Sequence, residues 1–160
     1  MTTDKIAALL LERLEAAFGD LPVPDDEHLV PDSSGYDLER NQVQAKFRGR
    51  HWRSLSPADL AGEADSLALF TPEAFRFFLP AYVRASVLDY ERADLIPMVV
   101  VWALARPGDP GLLSYFQSRI GALDLPQRKA LKEFLSFLRE RHGEDFLSGE
   151  LDQAEEALGV

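Results

Sequence analysis

The sequence predicts an all-α single domain of five to seven helices with a long irregular segment near its start. Three observations carry this. Apolar residues recur at spacings of three and four along most of the chain. Several of these stripes open with a capping residue followed by proline, as at Ser56-Pro57, Thr71-Pro72 and Asp124-Leu125-Pro126. The 160 residues suit one core better than two.

The first helix opens at Thr3 and Asp4. Ile6, Leu10, Leu14, Ala17 and Phe18 form its stripe and Gly19 stops it. From Asp20 to Arg53 the periodicity fades, and Pro22, Pro24, Pro31 and Gly35 punctuate an acidic stretch. This reads as a long loop within the domain. Ser33-Ser34-Gly35 is turn chemistry, and Tyr36 to Phe47 has room for a short helix or one hairpin.

Order returns at Ser56, where Asp59 can answer the cap. Thr71-Pro72-Glu73 opens the best-defined helix. Its stripe is Phe75, Phe78, Leu79, Tyr82, Val83 and Ser86. Pro80 lies inside it and removes one backbone hydrogen bond, so a kink held by tertiary packing is expected. The run Leu95 to Ala105 contains three successive valines, which suit a strand. Asp94 as cap and Pro97 in the first turn suit a buried helix, and the scarcity of partner strands decides for the helix. Arg106 to Gly111 is a break. Leu112, Leu113, Phe116 and Ile120 mark the next helix, ended by Gly121. Asp124 and Gln127 form a capping box for the following one, with Leu131, Phe134, Leu135 and Leu138 buried and Gly143 at its end. Leu147, Leu151, Ala154 and Leu158 suggest a short acidic last helix. The Pro80 helix is expected to pack against Leu95–Ala105 and against the helix that starts near Pro126.

Composition narrows the function classes. There is no cysteine, which excludes disulfides, thiolate nucleophiles and zinc–thiolate sites. Hydrophobic residues make up 46% of the chain, enough for a core without metal or cofactor. Asp4 and Glu12 interrupt the N-terminal apolar residues, unlike a signal peptide. Leu95–Ala105 is about half the ~20 residues that cross a bilayer. A cytoplasmic protein without membrane contact is expected. The net charge of −10 repels phosphate at long range, disfavours nucleic acid and favours a basic protein partner.

Candidate sites are few. His28, His51 and His142 are scattered, with no metal-ligand spacing, so no metal site is expected. His28 follows Asp25, Asp26 and Glu27 in what reads as a solvated acidic loop. His142, just before Gly143, suits the negative end of a helix. No phosphate loop or serine elbow occurs. Acids are too abundant for any one pair to stand out as catalytic. Two features rise above this background. Lys46, Arg48, Arg50, His51, Trp52 and Arg53 form the one basic–aromatic cluster in the chain. It can bind phosphate, or bridge internally to carboxylates with Trp52 as core anchor; the internal role is expected. Phe77 lies opposite the main stripe of its helix, beside Glu73, Ala81 and Arg84. Either the Asp20–Arg53 segment covers it, with Trp52 alongside, or a second copy does. Cover by the segment, and hence a monomer, is expected.

Two motifs resemble a family of short bacterial proteins of unknown function. One is Trp52-x-x-Leu55 followed by Phe70-Thr-Pro-Glu-Ala-Phe-Arg-Phe-Phe-Leu-Pro-Ala81. The other is Leu123, Gln127 and Arg128 ahead of Phe134 and Leu135. The likeness covers Gly49 to Arg141. It implies a cysteine or histidine before the tryptophan in many relatives, and this chain has no cysteine there. It implies no activity. A protein-interaction module of immunity or adaptor type is the expectation. A small Asp/Glu/His enzyme and a nucleic-acid-associated protein using Lys46–Arg53 are the alternatives.

Overall fold

The computed structural model describes residues 2–31 and 37–160, with side chains from residue 5 onward. The expected turn at Ser33-Ser34-Gly35 and Tyr36 lie outside the described residues. The described residues form helices and 3-10 turns without strands. Nine α-helices follow one another: α1 (Thr2–Phe18), α2 (Leu38–Phe47), α3 (Pro57–Leu60), α4 (Pro72–Leu88), α5 (Tyr90–Ala93), α6 (Ile96–Leu104), α7 (Leu113–Gly121), α8 (Leu125–His142) and α9 (Glu150–Leu158). Seven of them run nine residues or more; α3 and α5 are single turns.

The caps form as local chemistry requires. Ser56 and Asp59 exchange both bonds of a capping box, as do Asp124 and Gln127. The Thr71 hydroxyl accepts from the Ala74 N–H at 3.1 Å. The segment from Asp20 to Arg53 is not one loop. Its later half holds α2, capped by Asp37, and the hairpin option falls away. Val43 and Phe47 drive α2 into the core, and Leu29 and Val30 are also buried. The Thr71 N–H donates to the Leu29 carbonyl at 2.9 Å, fixing this segment to the start of α4.

Helix α4 is the centre of the molecule. A single buried stripe is expected there, but the opposite side is buried as well in mid-helix: Phe77 and Ala81 are as inaccessible as Phe75, Phe78 and Tyr82. Helices α1, α3, α6 and α7 and the turn Trp52–Ser54 surround it. Pro80 is buried within the helix, where tertiary packing offsets the lost hydrogen bond. The expected contact with α6 is present. Helix α8 instead lies mainly against α1 and α9. It meets α4 through Arg76, whose Nε donates to Gln127 Oε1 at 3.0 Å.

Several local expectations change. Ile6 and Leu147 are exposed rather than buried, and α9 starts three residues beyond Leu147. Leu112 precedes α7 in a 3-10 turn and is exposed. Gly143 keeps a right-handed φ of −57° and passes α8 into a further 3-10 turn. His142 is in the last turn of α8, where its ring also stacks on Tyr90 with centroids 3.5 Å apart. Gly19 is required by close approach: a Cβ there would sit 2.4 Å from the Glu15 carbonyl oxygen.

Asp94 does not cap α6; Leu95 occupies that position without a side-chain bond. Asp94 has φ 53° and ψ −108°, followed by Leu95 at φ −80° and ψ −9°. These are close to the two central residues of a type II′ turn, whose first position favours glycine. Asp94 is the one non-glycine with positive φ among the described residues. Asp94→Gly is expected to raise stability by about 1 kcal/mol, the relief of left-handed strain less glycine's extra unfolded-state entropy. Urea denaturation checks this; a loss of stability would place a stabilising contact on the Asp94 side chain.

Candidate functional site

The basic cluster is engaged by the chain's own acids. Lys46 Nζ lies 3.3 Å from Glu63, Arg48 Nε 3.9 Å from Asp26, and Arg50 Nη2 3.4 Å from Asp59. Arg53 pairs with Glu15 and donates to the Gly19 carbonyl at 3.1 Å. Arg84, on α4, donates to the Arg53 carbonyl at 3.2 Å. Trp52 is buried, and its indole N–H donates to the Phe18 carbonyl at 3.3 Å. Each exposed ion pair contributes only about 0–1 kcal/mol. The buried indole anchors the turn, tying the end of α1 to α4.

Phe77 is 1% exposed. The His51 ring meets it edge-on at 5.2 Å, and Phe78 does so from within the helix at 4.9 Å. The Asp20–Arg53 segment therefore covers Phe77, with His51 as the touching ring and Trp52 5.8 Å beyond it. His51 Nδ1 accepts the Arg53 N–H at 3.1 Å. Burial, and then the Arg53 charge, hold its pKa below the ordinary 6.5, with Glu15 acting in the opposite direction. His28 is exposed, 3.6 Å from Asp25 and 3.9 Å from Glu73. Among the described residues no three His, Asp or Glu side chains gather where they could hold a metal ion.

A second constellation was not foreseen from the sequence. A groove of about 630 Å³ lies between α2, the turn Ala64–Leu69, α6 and α7. Its walls are mostly apolar: Leu69, Val99, Ala103, Leu112 and Phe116. Trp102 stands on one wall at 58% exposure. Arg40, Tyr115 and Arg119 also line it. Tyr115 and Arg119 are one turn apart on α7, and the Arg119 guanidinium carbon lies 4.2 Å from the Tyr115 ring centre. The same guanidinium is 5.1 Å from Phe75 of α4. The Tyr115 hydroxyl donates to the Phe70 carbonyl, which locks the ring.

The arginines are poorly satisfied. Arg119 Nη1 makes a 3.4 Å bond to the Leu67 carbonyl, and Arg40 Nη1 lies 3.7 Å from Asp37. The Nε atoms of both are buried and have no hydrogen-bond partner among the described residues. An unmet buried donor costs about 1–3 kcal/mol, more for a charged group. Burial pulls the Arg119 pKa below its usual value, while the Tyr115 phenol acts to raise it. Burial raises the Tyr115 pKa, while the Arg119 and Arg40 charges both act to lower it. Both cations thus reach one phenol. Glu39 and Asp65 are acids on the same lining. The one signal available in the sequence was Tyr115-x-x-x-Arg119, which sets an arginine between the core positions Phe116 and Ile120. Arg40 and Trp102 gave none, since only the tertiary fold brings them there.

Fold and groove together define an all-α bundle with an arginine-bearing apolar cleft. The chain belongs to the Family of unknown function (DUF6714), whose model matches residues 10–156. That match is wider than the stretch from Gly49 to Arg141 that carried the resemblance. No curated protein and no solved structure matches it.

Two outcomes are expected around Phe77. Phe77→Ala should cost about 3–5 kcal/mol in urea denaturation, the range for truncating a buried phenylalanine; a loss near zero would mean that His51 and Trp52 do not cover it. The second concerns pH. With the folded His51 pKa below 6.5, the unfolded chain takes up this proton first on acidification. The stability that neutral His51 contributes is present above pH 6.5 and lost as pH falls through the folded value. His51→Gln should flatten the fall in stability as the pH drops below 6.5. An unchanged slope in denaturation midpoints would assign the effect to other groups.

Proposed function

We propose that this chain is a bacterial cytoplasmic protein-interaction module, of immunity or adaptor kind, that binds a basic protein and acts as a monomer. One observation carries this reading. The four cationic side chains of its basic cluster are each paired with a carboxylate of the same chain. Little positive potential is left there for phosphate, and the surplus of 27 acidic over 17 basic residues is offered to the outside. A negative surface steers and selects positively charged partners. No helix among the described residues is long and apolar enough to cross a membrane. Cover of Phe77 by His51 removes one reason for a second copy to bind.

The reading is tested by capture from native lysate, anisotropy and sedimentation together. A basic protein should be retained near physiological salt and released as salt rises toward about 1 M, where screening is nearly complete. Labelled single- and double-stranded DNA should leave the anisotropy unchanged, and the free chain should sediment as a monomer. Micromolar DNA binding that weakens steeply with salt would overturn the reading in favour of a nucleic-acid role. Retention of acidic or neutral proteins alone would also overturn it.

A further inference from the structure

We propose that the groove between α2, α6 and α7 binds a small monocarboxylate with a flat apolar body, its carboxylate on Arg119 and its body against Trp102. This goes beyond the acidic-surface reading and does not depend on it. The groove, about 630 Å³, falls within the ~300–1,000 Å³ of small-molecule sites. Such sites combine mostly apolar walls with a few polar groups, which describes this lining.

The polar group is a guanidinium held on two aromatic rings, Tyr115 at 4.2 Å and Phe75 at 5.1 Å. Those rings support the guanidinium at the groove wall, which Arg119 lines. The edge is underused: one 3.4 Å bond to the Leu67 carbonyl, and an Nε without a partner among the described residues. A planar guanidinium edge matches the two oxygens of a carboxylate. Arg40 brings a second cation, only loosely held by Asp37 at 3.7 Å. Trp102, 58% exposed, is a large aromatic surface in water beside these cations. A ligand that covered it would remove apolar area from water while its charge met Arg119.

The neighbouring acids narrow the class. Glu39 and Asp65 line the same groove, Asp37 pairs with Arg40, and the chain carries −10 overall. Phosphates and polyanions meet more repulsion there than a single negative charge does. The same carboxylate chemistry has two sources, a free organic acid or the C-terminus of a peptide that ends in an apolar residue.

The test uses indole-3-acetate and 3-phenylpropionate, each against its neutral primary amide, titrated into the full chain by calorimetry. Tryptophan fluorescence is followed in parallel for the non-indole probe 3-phenylpropionate, with Trp102→Ala separating the Trp102 signal from that of the buried Trp52. An acetylated tetrapeptide ending in Phe with a free carboxylate, against its C-terminal amide, forms the second arm. At least one acid should bind with a Kd below about 1 mM and its amide at least about tenfold more weakly, as expected for loss of a charged pair. Arg119→Gln should weaken the acid by about 10- to 100-fold. Trp102→Ala should weaken it too while melting like the wild type, because this side chain is exposed. That variant keeps the proposal testable if Arg119→Gln fails to fold. Either arm binding in this pattern upholds the site, and the tighter arm names the source. Equal binding of acids and amides would overturn the proposal. So would a Kd unchanged by Trp102→Ala, or no binding of any probe below about 5 mM to folded protein.

Discussion

Helix α4 is buried around most of its circumference, and only Glu73 near its start and Leu88 at its end are exposed. Phe75 and Phe78 share one face and Phe77 lies on the opposite one, and Pro80, Ala81, Tyr82 and Val83 are buried as well. Burying one phenylalanine side chain is worth about 1.5–3 kcal/mol relative to leaving it exposed. Covering this helix therefore dominates the arrangement of the other elements. Helices α1, α6 and α7 supply three sides, while α3 and the Trp52 turn close another. The same demand explains Pro80. A proline inside a helix removes one backbone hydrogen bond, and the packing around the buried Pro80 offsets that loss.

The acidic segment before Ser56 serves this demand. Its local signals are those of a loop, yet Leu29, Val30, Val43, Phe47 and Trp52 are all buried. Its basic residues then have a role that composition alone leaves open. Arg50 and Arg53 bond back to Ser54, Gly19 and Glu15, close to where the segment meets the helices it covers. Individually these surface pairs are weak. Grouped around a buried indole they fix the position of His51 over Phe77.

The groove follows from the same packing. Helices α6 and α7 both rest on α4, and their outer edges leave an apolar cleft that α2 and the Ala64–Leu69 turn border. Arg119 lies over Phe75 of α4, so the core itself is the platform for its charge. A guanidinium tolerates such a place because it is weakly hydrated and stacks on aromatic faces. Among the described residues it lacks a full set of acceptors there. Pure stability would favour an apolar residue at this position, which is why the arginine reads as serving a ligand.

Helix class, the capping boxes at Ser56 and Asp124 and the Thr71 cap were determined by the sequence. They depend on residues within about four positions of one another, and local chemistry decides them. The resemblance pointed to a family of unknown function, and the chain belongs to one. The sequence misplaced Ile6 and Leu147, because apolar spacing says which residues share a face but not whether a neighbour covers that face. It misread Asp94 as a cap, because Asp-x-x-Pro suits a helix start and the II′ turn depends on how α5 meets α6. Tertiary structure alone decided that α4 is buried on its Phe77 side as well as along its stripe, that Phe47 of α2 packs on Phe78, and that Arg40, Trp102 and Arg119 share one cleft. Those residues lie on three different helices, and their convergence is set by the need to cover one central helix rather than by any spacing along the chain.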